Sequence, residues 1–306
     1  MFTRRGEQHR FCANASRTVD NTPAVTFARQ SFQTTRLMAT NYTLRRKQAD
    51  RLRLYELSVQ DPQFEVELAA RKYHQRNGRP ARVLREDFCG SAAVACQWVS
   101  DHEDNRAIGL DLDQPTLDWA TQHNVARLGS AAERVDLRCQ DVRNATRPYA
   151  DIAQGLNFSS YLMYPRSTLL SYLESVRHSL SPGGIIMLDG YGGWESGQKA
   201  RDRRIVDSPD GTFGYIWEQG SFNPIDNLAH CHIHFVFKNQ KRWKRAFSYH
   251  WRVYTPAELT DALEETGFRN VEVLWDVDDD PESSDFRPMT EVKNCPGWLF
   301  YIVAER

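Results

Sequence analysis

RVLREDFCGSAAVA, residues Arg82 to Ala95, reads as a short buried strand, a sharp Cys89-Gly90-Ser91 turn and a helix of small residues. About twenty residues on, the apolar run Ala107-Ile108-Gly109-Leu110 ends in Asp111. A strand, a glycine turn at a helix N-terminus and an acid at the tip of the next strand make a nucleotide-binding half. Backbone N–H groups of such a turn approach a ligand closely, and the acid accepts from ribose hydroxyls. The turn departs from the dinucleotide fingerprint. It has one glycine, Gly90, where G-x-G-x-x-G has three, and Glu86 and Asp87 stand where a pyrophosphate would be repelled. A cationic ligand suits it better.

On these residues the chain resembles the class I, Rossmann-like S-adenosylmethionine-dependent methyltransferases. Their glycine-rich first motif is VLREDFCGSA here, with Cys89-Gly90-Ser91 matching the core of the turn and with Phe88 and Ala92 where that family usually has glycine. The resemblance implies S-adenosyl-L-methionine as methyl donor. It places Glu86, Asp87, Phe88, Cys89 and Gly90 around that cofactor, with Asp111 and Leu112 at the second strand tip. The strand Val135 to Cys139 is followed by Gln140-Asp141-Val142. In the resembled family an acid here and the next backbone N–H read the adenine edge, which Asp141 and Val142 fit. The step Leu180-Ser181-Pro182-Gly183-Gly184 before the apolar strand Ile185 to Asp189 is a frequent signature of the same family. The implied fold is α/β: a Rossmann-like seven-stranded sheet whose last strand, Trp298 to Ala304, is antiparallel, with helices on both faces. The resemblance covers about residues 50–190 and 255–306 as a fold.

Composition sets outer bounds. A chain of 306 residues with 41% apolar side chains suits one large domain or a domain with an insertion. A net charge of −1 gives no global reason to expect nucleic acid. Cys12, Cys89, Cys96, Cys139, Cys231 and Cys295 form no CxxC pair, which points to a reducing compartment rather than a disulfide scaffold or zinc knuckle. No apolar run reaches membrane-spanning length, so no membrane partner is expected. Residues 1–40 are rich in Arg, Ser and Thr and poor in acids, the composition of an organellar transit peptide or of a disordered tail. The expected location is mitochondrial or plastid if residues 1–37 act as a transit peptide, and otherwise cytoplasmic. Met38 is a possible alternative start.

Residues 41–80 are expected to form a helical lid, with helix over 43–77 broken at Asp61-Pro62, where Asp61 caps a second helix. Tyr55 and Gln60 are lid candidates for the cofactor. Within the core, 81–190, helices are expected over Ala92 to Ser100 and Pro115 to Leu128. The fourth strand, Asp151 to Leu156, ends in Asn157-Phe158. Ligands of open α/β sheets bind beyond the carboxyl ends of the strands, so Asn157 is a candidate both for cofactor binding and as a catalytic polar group. The competing reading of Asn157 is a cap for the helix starting near Pro165. Residues 255–306 return to the core with a helix capped at Thr255-Pro256-Ala257-Glu258, a strand Val271 to Trp275, an acidic loop Asp276 to Asp285 and the last strand.

Residues 191–254 fall outside the part covered as a fold; this insertion resembles, more loosely, that of the small-molecule N-methyltransferases that carry an antiparallel layer. Three β-like runs, Gly214 to Phe222, Leu228 to Lys238 and Trp243 to Tyr254, predict an antiparallel layer inserted after strand five, roofing the site. In the second run Ala229, Cys231, Ile233, Phe235 and Phe237 share one face, and His230, His232 and His234 the other. In the third, Trp243, Phe247, Tyr249, Trp251 and Val253 oppose Lys244, Ser248, His250 and Arg252. If the histidine face looks inward, Arg252 can hold a substrate carboxylate and His232 can accept a proton. If it looks outward, Trp217, Tyr249 and Trp251 line the pocket. No acid or cysteine accompanies the histidines at ligand spacing, so no metal is expected.

Methyl transfer from a sulfonium is an in-line displacement in which positioning and exclusion of water carry most of the rate. The leading expectation is a small-molecule methyltransferase whose acceptor is an amine, a thiol or a small carboxylic acid. One alternative is a tRNA or protein methyltransferase, for which Arg45-Arg46-Lys47 to Arg51 and Lys241-Arg242-Lys244-Arg245 are the basic candidates. Another is a cofactor-binding regulatory module or pseudoenzyme. The sequence specifies no oligomeric state.

Overall fold

The structure, a computed structural model, describes residues 42–277 and 285–306. The Arg-rich tail, with Met38 and Cys12, and most of the acidic loop lie outside the described residues.

Two lid helices open the described chain. Asp50 caps α1 (Arg51–Val59) by accepting from the Arg53 N–H at 2.9 Å, and Asp61 caps α2 (Pro62–Asn77) by accepting from the Phe64 N–H at 3.2 Å. Pro62 sits in the first turn of α2, where its missing N–H costs nothing. Residues 42–50 do not join α1 as expected. The Thr43 and Leu44 N–H groups donate to the Thr212 carbonyl, the Leu44 carbonyl accepts from Lys238 N–H, and Arg46 lies 3.5 Å over the Trp243 ring. Bonding to the inserted layer outcompetes helix here.

The core runs β1 (Val83–Asp87), α3 (Ala93–Asp101), β2 (Arg106–Asp111), α4 (Gln114–His123), β3 (Val135–Cys139), β4 (Ala150–Gly155), α5 (Arg166–Ser179) and β5 (Leu180–Gly192). The insertion holds β6 (Ala200–Val206), β7 (Phe213–Asn223), β8 (Leu228–Val236) and β9 (Arg242–Arg252). It is followed by α6 (Pro256–Glu265), β10 (Arg269–Asp276), β11 (Phe286–Pro288) and β12 (Trp298–Glu305). The main sheet has the order β3-β2-β1-β4-β5-β12-β10-β11. The β1–β2, β2–β3, β1–β4 and β4–β5 pairs are parallel, and β12 is antiparallel between β5 and β10. The eighth strand, β11, is a three-residue edge addition to the seven expected. Order reverses between β1 and β4, so the switch point lies at their carboxyl ends.

Each face of this sheet is covered. One apolar cluster joins β1, β4 and β5 to α2 and α3 through Leu84, Ile152, Ile185, Val66 and Val99, and the other lies under α5 and α6 and continues into the inserted sheet. Arg85 is fully buried on the second face and pairs with Asp87 at 2.7 Å. It also donates to the Val142 carbonyl at 2.6 Å and to Ser179 Oγ at 2.6 Å, fixing the loop after β3 to β1.

The inserted sheet has four antiparallel strands, β6-β7-β8-β9, where three were expected. The missed β6 reads ARDRRIV, with charge on both faces and no apolar alternation, as an exposed edge permits. The orientation of this sheet is settled. Ala229, Cys231, Ile233 and Phe235 are buried toward the core, whereas His230, His232, His250 and Arg252 lie on the outer face. Both ends of the insertion meet one hydroxyl. Tyr161 Oη lies 2.9 Å from the Tyr191 carbonyl and 3.0 Å from that of Tyr254, and accepts from the Tyr191 N–H at 2.9 Å.

Candidate active site

The turn after β1 is left-handed at three places. Phe88, Gly90 and Ala92 have φ of 56°, 51° and 56°. Two of the three are the residues that replace glycine, so the glycine-type backbone is kept without glycine, at a cost of about 1–2 kcal/mol per non-glycine residue. Tertiary bonds hold it. Gly90 N–H donates to Asp111 Oδ2 at 2.9 Å, Cys89 N–H to the Leu110 carbonyl at 2.9 Å, and Ala92 N–H to the Cys89 carbonyl at 2.7 Å. Asp111 Oδ1 accepts from Asp113 N–H at 3.0 Å, so the carboxylate is oriented at the tip of β2 beside Leu112, which is 69% exposed. Gln140 N–H donates to the Asp111 carbonyl at 2.9 Å and brings the next loop alongside.

In that loop Asp141 is half-exposed and paired with Arg143, whose hydrogen bonds hold its carboxyl below the ordinary range. Val142 is buried, and among the described residues its N–H has no hydrogen-bond partner. At the other side of the switch point the Asp189 carboxylate accepts from Asn157 N–H at 2.9 Å and from Phe158 N–H at 2.8 Å. Asn157 and Phe158 are both left-handed, with φ of 58° and 60°. Burial pushes Asp189 up to about 7, against the opposing effect of those two donors.

Three further buried groups face the same strand tips from the lid and sheet. Glu65 on α2 is 1% exposed, and its Oε2 has no hydrogen-bond partner among the described residues. Burial drives its carboxyl well above the ordinary value, with Asp189 and Glu86 adding repulsion. Gln154 donates from Nε2 to the Glu65 carbonyl at 3.0 Å while its buried Oε1 is unpartnered. Glu86 accepts from Ala95 N–H at 2.8 Å, at the start of α3, and burial raises it to about 8.

The roof above is aromatic. Trp251 stacks on Tyr249 at 4.4 Å and on Trp217 at 5.7 Å, and meets Phe158 edge-on at 5.7 Å. Tyr191 lies 4.9 Å from Phe158, and Tyr55 on α1 lies 4.9 Å from Phe247. Trp251 Nε1 is buried without a hydrogen-bond partner among the described residues. An acid-lined, aromatic-roofed site with unpaired acceptors and an unpaired indole N–H suits a cationic ligand that also carries an acceptor atom.

The parallel sheet with an antiparallel strand between β5 and β10, and a nucleotide-type turn at the switch point, decides the architecture. The chain has the class I methyltransferase fold. Solved structures bear this out. DesVI of Streptomyces venezuelae superposes with a TM-score of 0.63 at 18% identity, covering 84% of this chain and 98% of its own. An S-adenosylmethionine-dependent methyltransferase from Clostridium acetobutylicum gives 0.61 at 16%, covering 83% and 96%. CalS10, an amino pentose methyltransferase from Micromonospora echinaspora, gives 0.61 at 13%, covering 83% and 95%. No protein-family model and no curated protein sequence matches the chain.

Within this methyltransferase fold the structure brings together most of the residues expected at the cofactor: the Phe88–Gly90 backbone, Asp111, Leu112, Asp141, Val142 and Asn157. Several side chains are placed otherwise. Asp87 is locked under the turn by Arg85 and by the Tyr172 hydroxyl at 3.0 Å, because it shares the buried α5 face of β1. Cys89 turns its thiol inward; its Sγ would stand 3.0 Å from a Cβ on Gly109, and burial raises its pKa well above the usual value. Glu86 is spent largely on the α3 N-terminus. Asn157 is not the cap of α5, which starts at Arg166; it contributes a strained turn held by Asp189. Tyr55 is half-buried against the roof, and burial raises its hydroxyl pKa.

His232 and Arg252 are corrected as catalytic candidates. His232 lies on the outer face, 2.9 Å from Ser248 Oγ, and Arg252 pairs with Glu258 at 3.6 Å over the Tyr254 ring. Strand alternation with Trp251 inward forces this. Among the described residues no group of three His, Cys, Asp or Glu side chains is placed to hold a metal ion, and no helix is long and apolar enough to cross a membrane. Glu65, Gln154 and Asp189 were missed. Asp189 carried a signal, since it ends the run IIMLD as Asp111 ends its strand; Glu65 read only as a first-turn acid on α2.

Proposed function

We propose that the chain is an S-adenosyl-L-methionine-dependent methyltransferase whose acceptor is a small amine. The observation that carries this reading is the combination of an Asp111-closed turn with buried Glu65 and Asp189 carboxylates to which no cationic side chain is paired among the described residues. The unpaired Glu65 Oε2 and Gln154 Oε1 fit an ammonium donor, and the aromatic roof fits a sulfonium or an alkylammonium. When bound, the cofactor supplies an electrophilic methyl group. Asp111 orients ribose hydroxyls; the Val142 N–H and Asp141 read the adenine edge.

Around the acceptor, Trp217, Tyr249, Trp251 and Phe158 exclude water and offer ring faces, while Trp251 Nε1 is free to donate to an acceptor oxygen. Asp189, poised near neutrality, can take the proton that the amine loses. A bound carboxylate opposes ionisation of the buried Glu65 and Asp189 carboxyls whereas a cation favours it, which favours an amine over an acid. That this fold is shared with the amino pentose methyltransferase CalS10 and with a sugar N-methyltransferase, KedS8 from Streptoalloteichus, supports the same choice. Incubation with methyl-labelled cofactor and panels of small amines, amino sugars, thiols and acids tests it. Label is expected on an amine nitrogen; label on a thiol or a carboxylate alone contradicts it. We further propose that residues 1–37 direct the chain to an organelle, which a reporter fused to residues 1–40 tests.

A further inference from the structure

The outer face of the inserted sheet carries a cleft of about 570 Å³, lined by Lys199, Arg201, Glu218, His230, His232 and Arg245 among others. It lies on the opposite face of β7–β9 from the aromatic roof. One row of paired residues crosses all four strands, Arg201, Glu218, His232 and Ser248. His230 stacks on His250 at 4.0 Å beside that row. A register shift between Ile233 and Phe235 sets Arg245 at φ 51°, with its N–H donating to His234 Nδ1 at 3.1 Å.

The charges there do not balance. Among the described residues Glu218 is the one carboxylate lining the cleft; it is ion-paired with Arg201 and lies 3.4 Å from His234 Nε2. Among the described residues Lys199 and Arg245 have no carboxylate partner, and two imidazoles stand beside them. Burial and the neighbouring Arg245, His230 and His250 depress the His232 pKa, and burial, Arg201, His232, Arg245 and Lys244 bring His234 down to about 4. An anion reverses the repulsive part of those shifts. A cleft of this volume holds a small organic molecule, more than a bare ion needs.

We propose that this cleft binds a phosphorylated small molecule, with Lys199, Arg245, His230 and His232 holding a phosphate monoester dianion. Charge-assisted bonds from guanidinium, ammonium and protonated imidazole are the contacts such an oxyanion takes. The site is separate from the methyl-transfer site, so it stands or falls independently of the proposed function.

The test is a titration of the full chain, followed by the imidazole NMR signals of His230 and His232, with inorganic phosphate in one arm and a sugar phosphate in the other. Both histidines are expected to shift and to gain protons, with the ester binding more tightly than inorganic phosphate. Arg245→Gly suits the left-handed backbone, and Lys199→Gln is a surface change. Each is expected to weaken the ester by at least about tenfold, as loss of one charge-assisted contact does, with S-adenosylmethionine affinity unchanged. Unmoved histidines, equal affinity for phosphate and ester, or an affinity unaffected by both variants would overturn the proposal. So would tight RNA binding lost in the same variants, which would make the face a nucleic-acid surface.

Discussion

The Asp189 carboxylate accepts the Asn157 N–H at 2.9 Å, and its other oxygen takes Phe158 N–H at 2.8 Å, so one acid at the end of β5 holds two consecutive left-handed residues after β4. Asp189→Ala leaves two donors and a strained turn without support. Unfolding in denaturant is expected to show a loss of about 2–4 kcal/mol, with Asp189→Asn losing less. An unchanged midpoint in Asp189→Ala would show that the turn holds itself.

Burial raises Asp189 to about 7 and Glu86 to about 8. Both are acids whose folded pKa lies above the unfolded value, so the fold prefers them protonated. Their contribution to stability is therefore full below the ordinary carboxylate range and is lost as pH rises to about 7 for Asp189 and about 8 for Glu86. A cationic ligand favours the ionised forms. Cofactor affinity is expected to rise with pH across that window, with protons released on binding. Calorimetry in two buffers of different ionisation enthalpy measures the release; proton uptake would contradict the ligand's charge.

Ala92→Gly replaces a buried residue at φ 56° with the one that prefers this conformation. Stability is expected to be unchanged or to rise by up to about 1 kcal/mol, relief of left-handed strain outweighing added chain entropy. Gly109→Ala has the opposite sign. Its Cβ would stand 2.7 Å from Leu137 Cδ2 and 3.0 Å from Cys89 Sγ, and a loss of about 1–3 kcal/mol is expected in thermal unfolding.

Trp251→Phe and His232→Ala separate the two faces of the inserted sheet. The first removes a buried indole N–H and trims the stack with Tyr249 and Trp217; kcat/KM for the amine is expected to fall about tenfold or more. The second, on the outer face, is expected to leave methyl transfer within about twofold of the parent. Steady-state kinetics on one amine reads both, and the reverse ranking would return the histidine face to the site.

Much of the core was legible because its signals are local. Val83–Asp87 is marked by the Cys89-Gly90-Ser91 turn that follows it, Arg106–Asp111 by an apolar run ending in an acid, and Leu180–Gly192 by a proline-glycine step before an apolar run. Residues 42–50 misled because their partners, Thr212, Lys238 and Trp243, are far along the chain. Strand alternation separates Trp251 from Arg252, but nothing local says which side of a sheet meets another layer; the packing of Phe158 and Tyr191 against Trp251 decides it and puts His232 and Arg252 outside. Glu65 was illegible for the same reason: an acid in a first helical turn is usually solvated, and only packing of α2 on the strand tips buries it.

Calorimetric titration of the full chain with S-adenosylmethionine, alongside Asp111→Ala, is the most direct test of the proposed chemistry. Micromolar binding to the parent, weakened at least about tenfold in the variant, is the expected result. No binding to the parent, or equal binding to both, would contradict a cofactor seated between the Phe88–Ala92 turn and the tip of β2.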